Sequence, residues 1–94
     1  MVSIKQAFAN AAEFAASVFE PERLTDLRLE EVETAEVSGA DAWLITMSMV
    51  RPGLMSALAA LNNPKGLPRD YKVFTVRKDT GEVLSMKIRE LAGA

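Results

Sequence analysis

A two-layer α+β domain, with one N-terminal helix packed on a four-stranded antiparallel sheet, is what this 94-residue sequence predicts. Three stretches carry that expectation. Residues 71–89, YKVFTVRKDTGEVLSMKIR, read as a β-hairpin; residues 43–50, WLITMSMV, alternate as a strand; and residues 4–18 carry apolar side chains at helical spacing. The order is helix, strand, strand, long connection, strand, strand, so a single sheet with one apolar face under one helix is the simplest packing.

The helix has a start signal. Ser3-Ile4-Lys5-Gln6 fits a capping box, with the Ser3 hydroxyl taking an amide of the first turn and Gln6 reaching back to the Ser3 amide. Ile4, Phe8, Ala11, Ala15 and Val18 fall three and four apart, Ala7, Ala12 and Phe14 widen the stripe, and Pro21 ends it. The alanines favour helix and permit close approach to a flat partner such as a sheet. Residues 22–36 mix signals. Leu27 and Leu29 alternate with charged neighbours as in a half-buried strand, Val32 breaks the series, and a bulge near Glu30 or Glu31 restores it. The Glu-rich composition leaves a helix as the alternative, while Thr25, Val32, Thr34 and Val37 favour strand. Ser38-Gly39-Ala40-Asp41 supplies a turn.

In 43–50 the residues Trp43, Ile45, Met47 and Met49 share one face, and Leu44, Thr46, Ser48 and Val50 the other. Both faces are partly apolar, which suits a central strand and leaves the second face available for a cover. Arg51-Pro52-Gly53 stops the run. The connection over 54–70 is about seventeen residues, beyond the roughly 12–15 usual for a structureless loop, and connections of that length tend to be functional. Its first half, LMSALAAL, fits two helical turns with Leu54, Leu58 and Leu61 on one side; its second half, NNPKGLPRD, is dense in turn residues. The closing hairpin turns at Asp79-Thr80-Gly81, with glycine at a positive-φ position. Pairing Lys78 with Glu82 then sets Phe74 opposite Met86 and Lys72 opposite Ile88. That register gathers Phe74, Val76, Leu84, Met86 and Ile88 on the core face, with Thr75, Arg77, Ser85, Lys87 and Arg89 outside.

Length and composition predict a single domain over 1–94, 49% hydrophobic and 26% charged. No stretch is long enough to span a bilayer, and no membrane partner is expected. Asn10 and Glu13 interrupt the N-terminal apolar run where a secretory signal would be continuous, so it reads as mature structure in a cytoplasmic protein. The net charge of −2, with Lys and Arg scattered, does not suggest the phosphate attraction of a nucleic-acid binder. The chain has neither Cys nor His, which removes thiol nucleophiles, disulfides, imidazole acid/base catalysis and most transition-metal sites. Glu30, Glu31, Glu33 and Glu36 match no ion-binding loop and read as solvated charge. Tyr71, Lys72 and Ser85 have no companion base with a pKa near neutrality, and the glycines form no phosphate-cradling pattern. No catalytic residue, cofactor or metal is assigned, and the expectation is that the chain is not an enzyme.

The stretch YKVFTVRKDTGEVLSMKI resembles the closing hairpin of PepSY-type, half-cystatin domains, in which a helix precedes the strands and the terminal hairpin turns on a short polar loop with glycine. The resemblance covers about a fifth of the chain, and the helix-first order accords with it. It implies an α+β fold and, as a suggestion, a role in restraining peptidases; no functional residue carries over.

The function expected is a non-catalytic module that binds an unidentified protein or itself, as a homodimer. Its contact residues are Leu54, Met55, Leu58 and Leu61 in the long connection, and Tyr71, Thr75, Lys87 and Arg89 on the exposed face of the hairpin. The alternative is a carrier of small apolar ligands, with a pocket between helix and sheet lined by Phe8, Phe14, Trp43 and Met86.

Overall fold

The computed structural model describes residues 1–19, 26–50 and 69–89. Helix α1 (Ile4–Val18) precedes strands β1 (Arg28–Val37), β2 (Ala40–Val50), β3 (Arg69–Arg77) and β4 (Val83–Ile88). Every neighbouring pair is antiparallel and the spatial order is β1-β2-β3-β4, an α+β meander with the helix first in the chain. Among the described residues no helix is long and apolar enough to cross a membrane.

The helix begins as its sequence indicates, with the Gln6 amide donating to Ser3 Oγ at 3.1 Å. The reciprocal half of the capping box is absent because Gln6 uses its side chain elsewhere: Nε2 donates to Asn10 Oδ1 at 2.8 Å, and Asn10 Nδ2 donates to the Gly81 carbonyl at 2.9 Å. The last helical residue is Val18, and Pro21 lies outside the described residues. The buried stripe is Ala7, Ala11 and Ala15, four residues apart and without solvent exposure, so the helix meets the sheet through its smallest side chains. Phe8, Ala12 and Phe14 flank that stripe, whereas Ile4 and Val18, expected within it, are exposed. The stripe is therefore rotated from the one predicted, because alanine alone permits the close approach and the bulkier side chains splay to either side.

Against the alanines stand Ile45, Met47, Phe74 and Val76, all fully buried. Register explains the set. Ile45 lies between Val32 and Phe74, and Trp43 between Thr34 and Val76, so one row after another points toward the helix. Phe14 meets Phe74 edge to face, with ring centroids 6.3 Å apart, a geometry that adds about 0.5–1.5 kcal/mol to burial alone.

The bulge expected near Glu30 or Glu31 is present as a register shift between Leu29 and Glu31. It turns both Leu29 and Val32 toward the helix side, where they pair with Met47 and Ile45. Glu31 and Glu33 then face away from the helix, and Glu30 bonds to Ser48 on that same far side. The β1–β2 turn is shorter than predicted. Ser38 and Gly39 suffice, with φ of 52° and 79°, and Ala40 and Asp41 already belong to β2.

The β3–β4 hairpin carries a correction at its tip. Phe74 pairs with Met86 and Lys72 with Ile88, as the pattern requires, but the loop closes on Arg77 and Glu82, with Arg77 N donating to Glu82 O and Gly81 N donating to Arg77 O, both at 2.9 Å. The loop thus spans one residue more than predicted, and a register shift between Thr75 and Val76 compensates. Val83 takes the place expected for Leu84 opposite Val76 and packs on the core, while Leu84 and Ile88 are exposed. Gly81 does hold the predicted positive φ, 78°.

Candidate functional site

Alternation in the strands gives this sheet a second face, opposite the helix, and the residues there are of a different kind. From β2 come Ala42, Leu44, Thr46, Ser48 and Val50; from β3 come Arg69, Tyr71, Val73, Thr75 and Arg77. Reading across from β1 to β4, one row is Arg28, Ser48, Tyr71 and then Arg89, whose amide donates to Tyr71 O at 2.9 Å; the next is Glu31, Thr46, Val73, Lys87; the next is Glu33, Leu44, Thr75, Ser85. Glu31 and Glu33 stand at the β1 margin beside Arg28, and Lys87 and Arg89 at the β4 margin beside Ser85, with hydroxyls and aliphatic side chains between them.

Two arginines tie this face together. Arg69 donates from Nε to Ser48 Oγ at 2.9 Å and from one terminal nitrogen to Asp26 Oδ2 at 3.1 Å, and it also reaches the Asp26 and Ser48 carbonyls. Ser48 Oγ donates in turn to Glu30 Oε1 at 3.2 Å, so a fully buried hydroxyl is satisfied on both sides. The Arg69 hydrogen bond, helped by Arg28 at 2.8 Å, holds the Asp26 carboxyl below its ordinary value of 3.8. Arg89 extends from the end of β4 across β3 to Thr46 Oγ1, at 3.0 Å, and to the Glu31 carboxylate, whose hydrogen bond raises the arginine pKa further. Among the described residues no buried side-chain nitrogen or oxygen lacks a partner.

Of the contact residues expected from sequence, Tyr71, Thr75, Lys87 and Arg89 do share this face. Lys87 is exposed and Tyr71 half-buried. Thr75, at 8% exposure, is enclosed by its neighbours and offers little surface, and Arg89 is engaged within its own chain. Leu54, Met55, Leu58 and Leu61 lie outside the described residues. The structure adds half-buried Leu44, Val50 and Val73 as the apolar centre, and Glu31 and Glu33 as the margin opposite Lys87. A cross-strand sum would have set Glu31 and Glu33 beside Thr46 and Leu44, since β1 and β2 pair at a sum of 77 over residues 31–37 and 40–46. The β2–β3 register, set across a long connection, had no local turn to reveal it.

The four residues proposed to line a ligand pocket, Phe8, Phe14, Trp43 and Met86, pack around the buried core. Trp43 Nε1 donates to Val2 O at 3.3 Å, and Lys78 Nζ sits 4.2 Å from the center of its ring. Phe14 also borders an open cleft of about 320 Å³ with Asn10, Glu13, Ser17, Gly81 and Val83. A second cleft of about 340 Å³ lies at the hairpin tips, between Met1, Gly39, Asp41 and Arg77 to Asp79, where Arg77 and Asp79 pair at 2.7 Å.

What the sheet face offers is contact chemistry: an apolar centre for burial, hydroxyls already satisfied, and charges at opposite margins for orientation. Comparison of the chain with protein-family models, curated proteins and solved structures gives no match to any of them.

Proposed function

We propose that this chain is a cytoplasmic, non-catalytic module that holds a protein, or a second copy of itself, on the sheet face opposite the helix. One observation carries the reading. The helix covers one face, while on the other Leu44, Val50, Tyr71 and Val73 form a half-buried apolar centre flanked by Glu31 and Glu33 on one side and Lys87 on the other. A face that only needed to stay wet would not place aliphatic side chains on two central strands. The resemblance of the closing hairpin to PepSY-type domains supports a partner among proteins, with peptidases as the class it suggests.

The test is affinity capture with the intact chain against a Leu44→Thr/Val73→Thr variant, which retains β-forming residues while removing apolar contact. Retention of a partner, or of the chain itself, is expected to fall about tenfold or more in the variant, with cooperative thermal unfolding preserved. Equal retention by both chains would overturn the reading.

A further inference from the structure

The start of β1 is fastened differently from the rest of the strand. Residues 28–31 are all exposed, and Val32 is the first residue of the strand to be half-buried. The register shift at Glu30 separates Arg28 and Leu29, opposite Ser48 and Met47, from the unbroken ladder that runs from Glu31 to Val37. Little apolar burial holds the first piece, and the bulge uncouples its pairing from the pairing that follows.

Among the described residues, the side-chain bonds that join this piece to β2 and β3 converge on one guanidinium. Arg69, at the start of β3 and with its side chain only 13% exposed, donates to Asp26 Oδ2 at 3.1 Å and to the Asp26 carbonyl. It also donates to Ser48 Oγ at 2.9 Å and to the Ser48 carbonyl at 3.3 Å, and Ser48 Oγ passes the connection on to Glu30. The Arg28 pair with Asp26, at 2.8 Å, joins two groups of the same piece, so it moves with that piece and fastens nothing across strands. Asp26 itself sits at φ 53°, a left-handed backbone uncommon in residues with a Cβ, and Arg69 holds both its carbonyl and its carboxylate. Just beyond the bulge, Arg89 takes the Glu31 carboxylate. One arginine thus grips the chain on each side of Glu30.

We propose that Arg69 is a conformational latch: its guanidinium keeps residues 26–30 on the sheet, and on its release they swing away as a unit, with the bulge at Glu30 as the hinge and the rest of β1 in place. Opening of this kind is a local event that needs less free energy than unfolding the domain. It uncovers the β2 margin at Met47 and Ser48, both without solvent exposure while the latch is closed. The Glu31 grip of Arg89 stops the opening from running further along β1.

Amide hydrogen exchange of the full chain, read residue by residue, tests it. In Arg69→Met the amides of residues 28–30 are expected to exchange about tenfold faster or more, while those of residues 32–37 change by less than about twofold. Asp26→Asn keeps the shape of the side chain and gives up its charge, so it is expected to act on the same amides in smaller measure; it is the variant to read if Arg69→Met does not fold. Placing Arg69→Met in an Asp26→Gly background is expected to shrink its effect, because the carboxylate is gone and glycine holds the left-handed backbone unaided. Unchanged exchange at residues 28–30 would overturn the latch. Acceleration spread evenly along β1 would overturn it too, since the cluster would then belong to the stability of the whole domain. An Arg69→Met effect of equal size in the Asp26→Gly background would overturn the assignment of the grip to Asp26.

Discussion

The two faces of this sheet are built from the same four strands and obey different chemistry. Toward the helix, Ile45, Met47, Phe74 and Val76 are fully buried, and the helix answers with alanine, so stability there comes from close packing. Away from the helix the buried side chains are Ala42, Thr46, Ser48 and Thr75, and arginines from β3 and β4 hold the face together through hydrogen bonds to hydroxyls and carboxylates. The difference teaches that one face is committed to the fold, whereas the other is ordered without being filled. Packing on the first is sensitive to a single methylene, whereas order on the second depends on its hydrogen bonds.

Adjacent residues on β3 give the sharpest way to break that comparison. Phe74 points to the helix and is fully buried, while Val73 points away and is half-buried. Phe74→Ala is expected to cost about 3–5 kcal/mol, from lost burial and the cavity it leaves, and Val73→Ala roughly 1 kcal/mol or less, both read from urea unfolding midpoints at constant slope. Equal losses would mean that the open face is as much core as the covered one.

A second expectation concerns the point where helix and hairpin meet. Gly81 sits at φ 78°, and a Cβ there would lie 2.6 Å from Asn10 Nδ2 and 3.1 Å from Val2 Cγ1. Gly81→Ala is therefore expected to cost about 1–3 kcal/mol, part from backbone strain and part from displacing the Asn10 amide from its bond to the Gly81 carbonyl. Repeating it in an Asn10→Ala background separates them: the Asn10 part vanishes, while the φ part and the close approach to Val2 stay. Additive losses would show that the contact between helix and hairpin is not the constraint.

The smallest expected effect is acidic and belongs to exposed pairs. Asp26, held by Arg69, and Asp79, held by Arg77, both have carboxyls below their ordinary value of 3.8. In the acid range the unfolded chain binds more protons at these two sites than the folded chain does. Their contribution is therefore complete above the ordinary value and is lost as pH falls through 3.8 toward the lowered values. Thermal unfolding of Asp26→Asn/Asp79→Asn is expected to lose less on acidification from pH 7 than the parent chain does. An identical acid response would assign the sensitivity to other carboxylates.

The sheet was legible where local chemistry sets register. The alternation in 43–50, the bulge beside Glu30 and the pairing of Phe74 with Met86 all follow from period-two patterning, because one slip would turn the apolar set to the wrong side. The tip of the closing hairpin was not legible to the residue: a four-residue loop with a compensating shift and a three-residue loop without one place Phe74, Met86 and Ile88 identically, and they differ only in whether Val83 or Leu84 meets Val76. The buried helix stripe escaped for a related reason. Hydropathy ranks Ile4 and Val18 above alanine, but the distance between helix and sheet selects for small size. On the open face Tyr71, Lys87 and Arg89 were visible as one surface. The opposing margin of Glu31 and Glu33 was not, since joining β1 to β4 needs three registers, one of them across the long connection.

The first residues of the chain are fastened to its last hairpin: Val2 N donates to Lys78 O at 2.7 Å, Trp43 Nε1 donates to Val2 O, and Asn10 reaches Gly81. Synthesis runs in the other direction. The helix is made before the sheet: β2 supplies Ile45 and Met47 to its alanine face, but the hairpin groups that fasten it, Lys78 and Gly81, come later still. Contacts of such long sequence separation slow folding, so the helix is fastened only after the closing hairpin has been made.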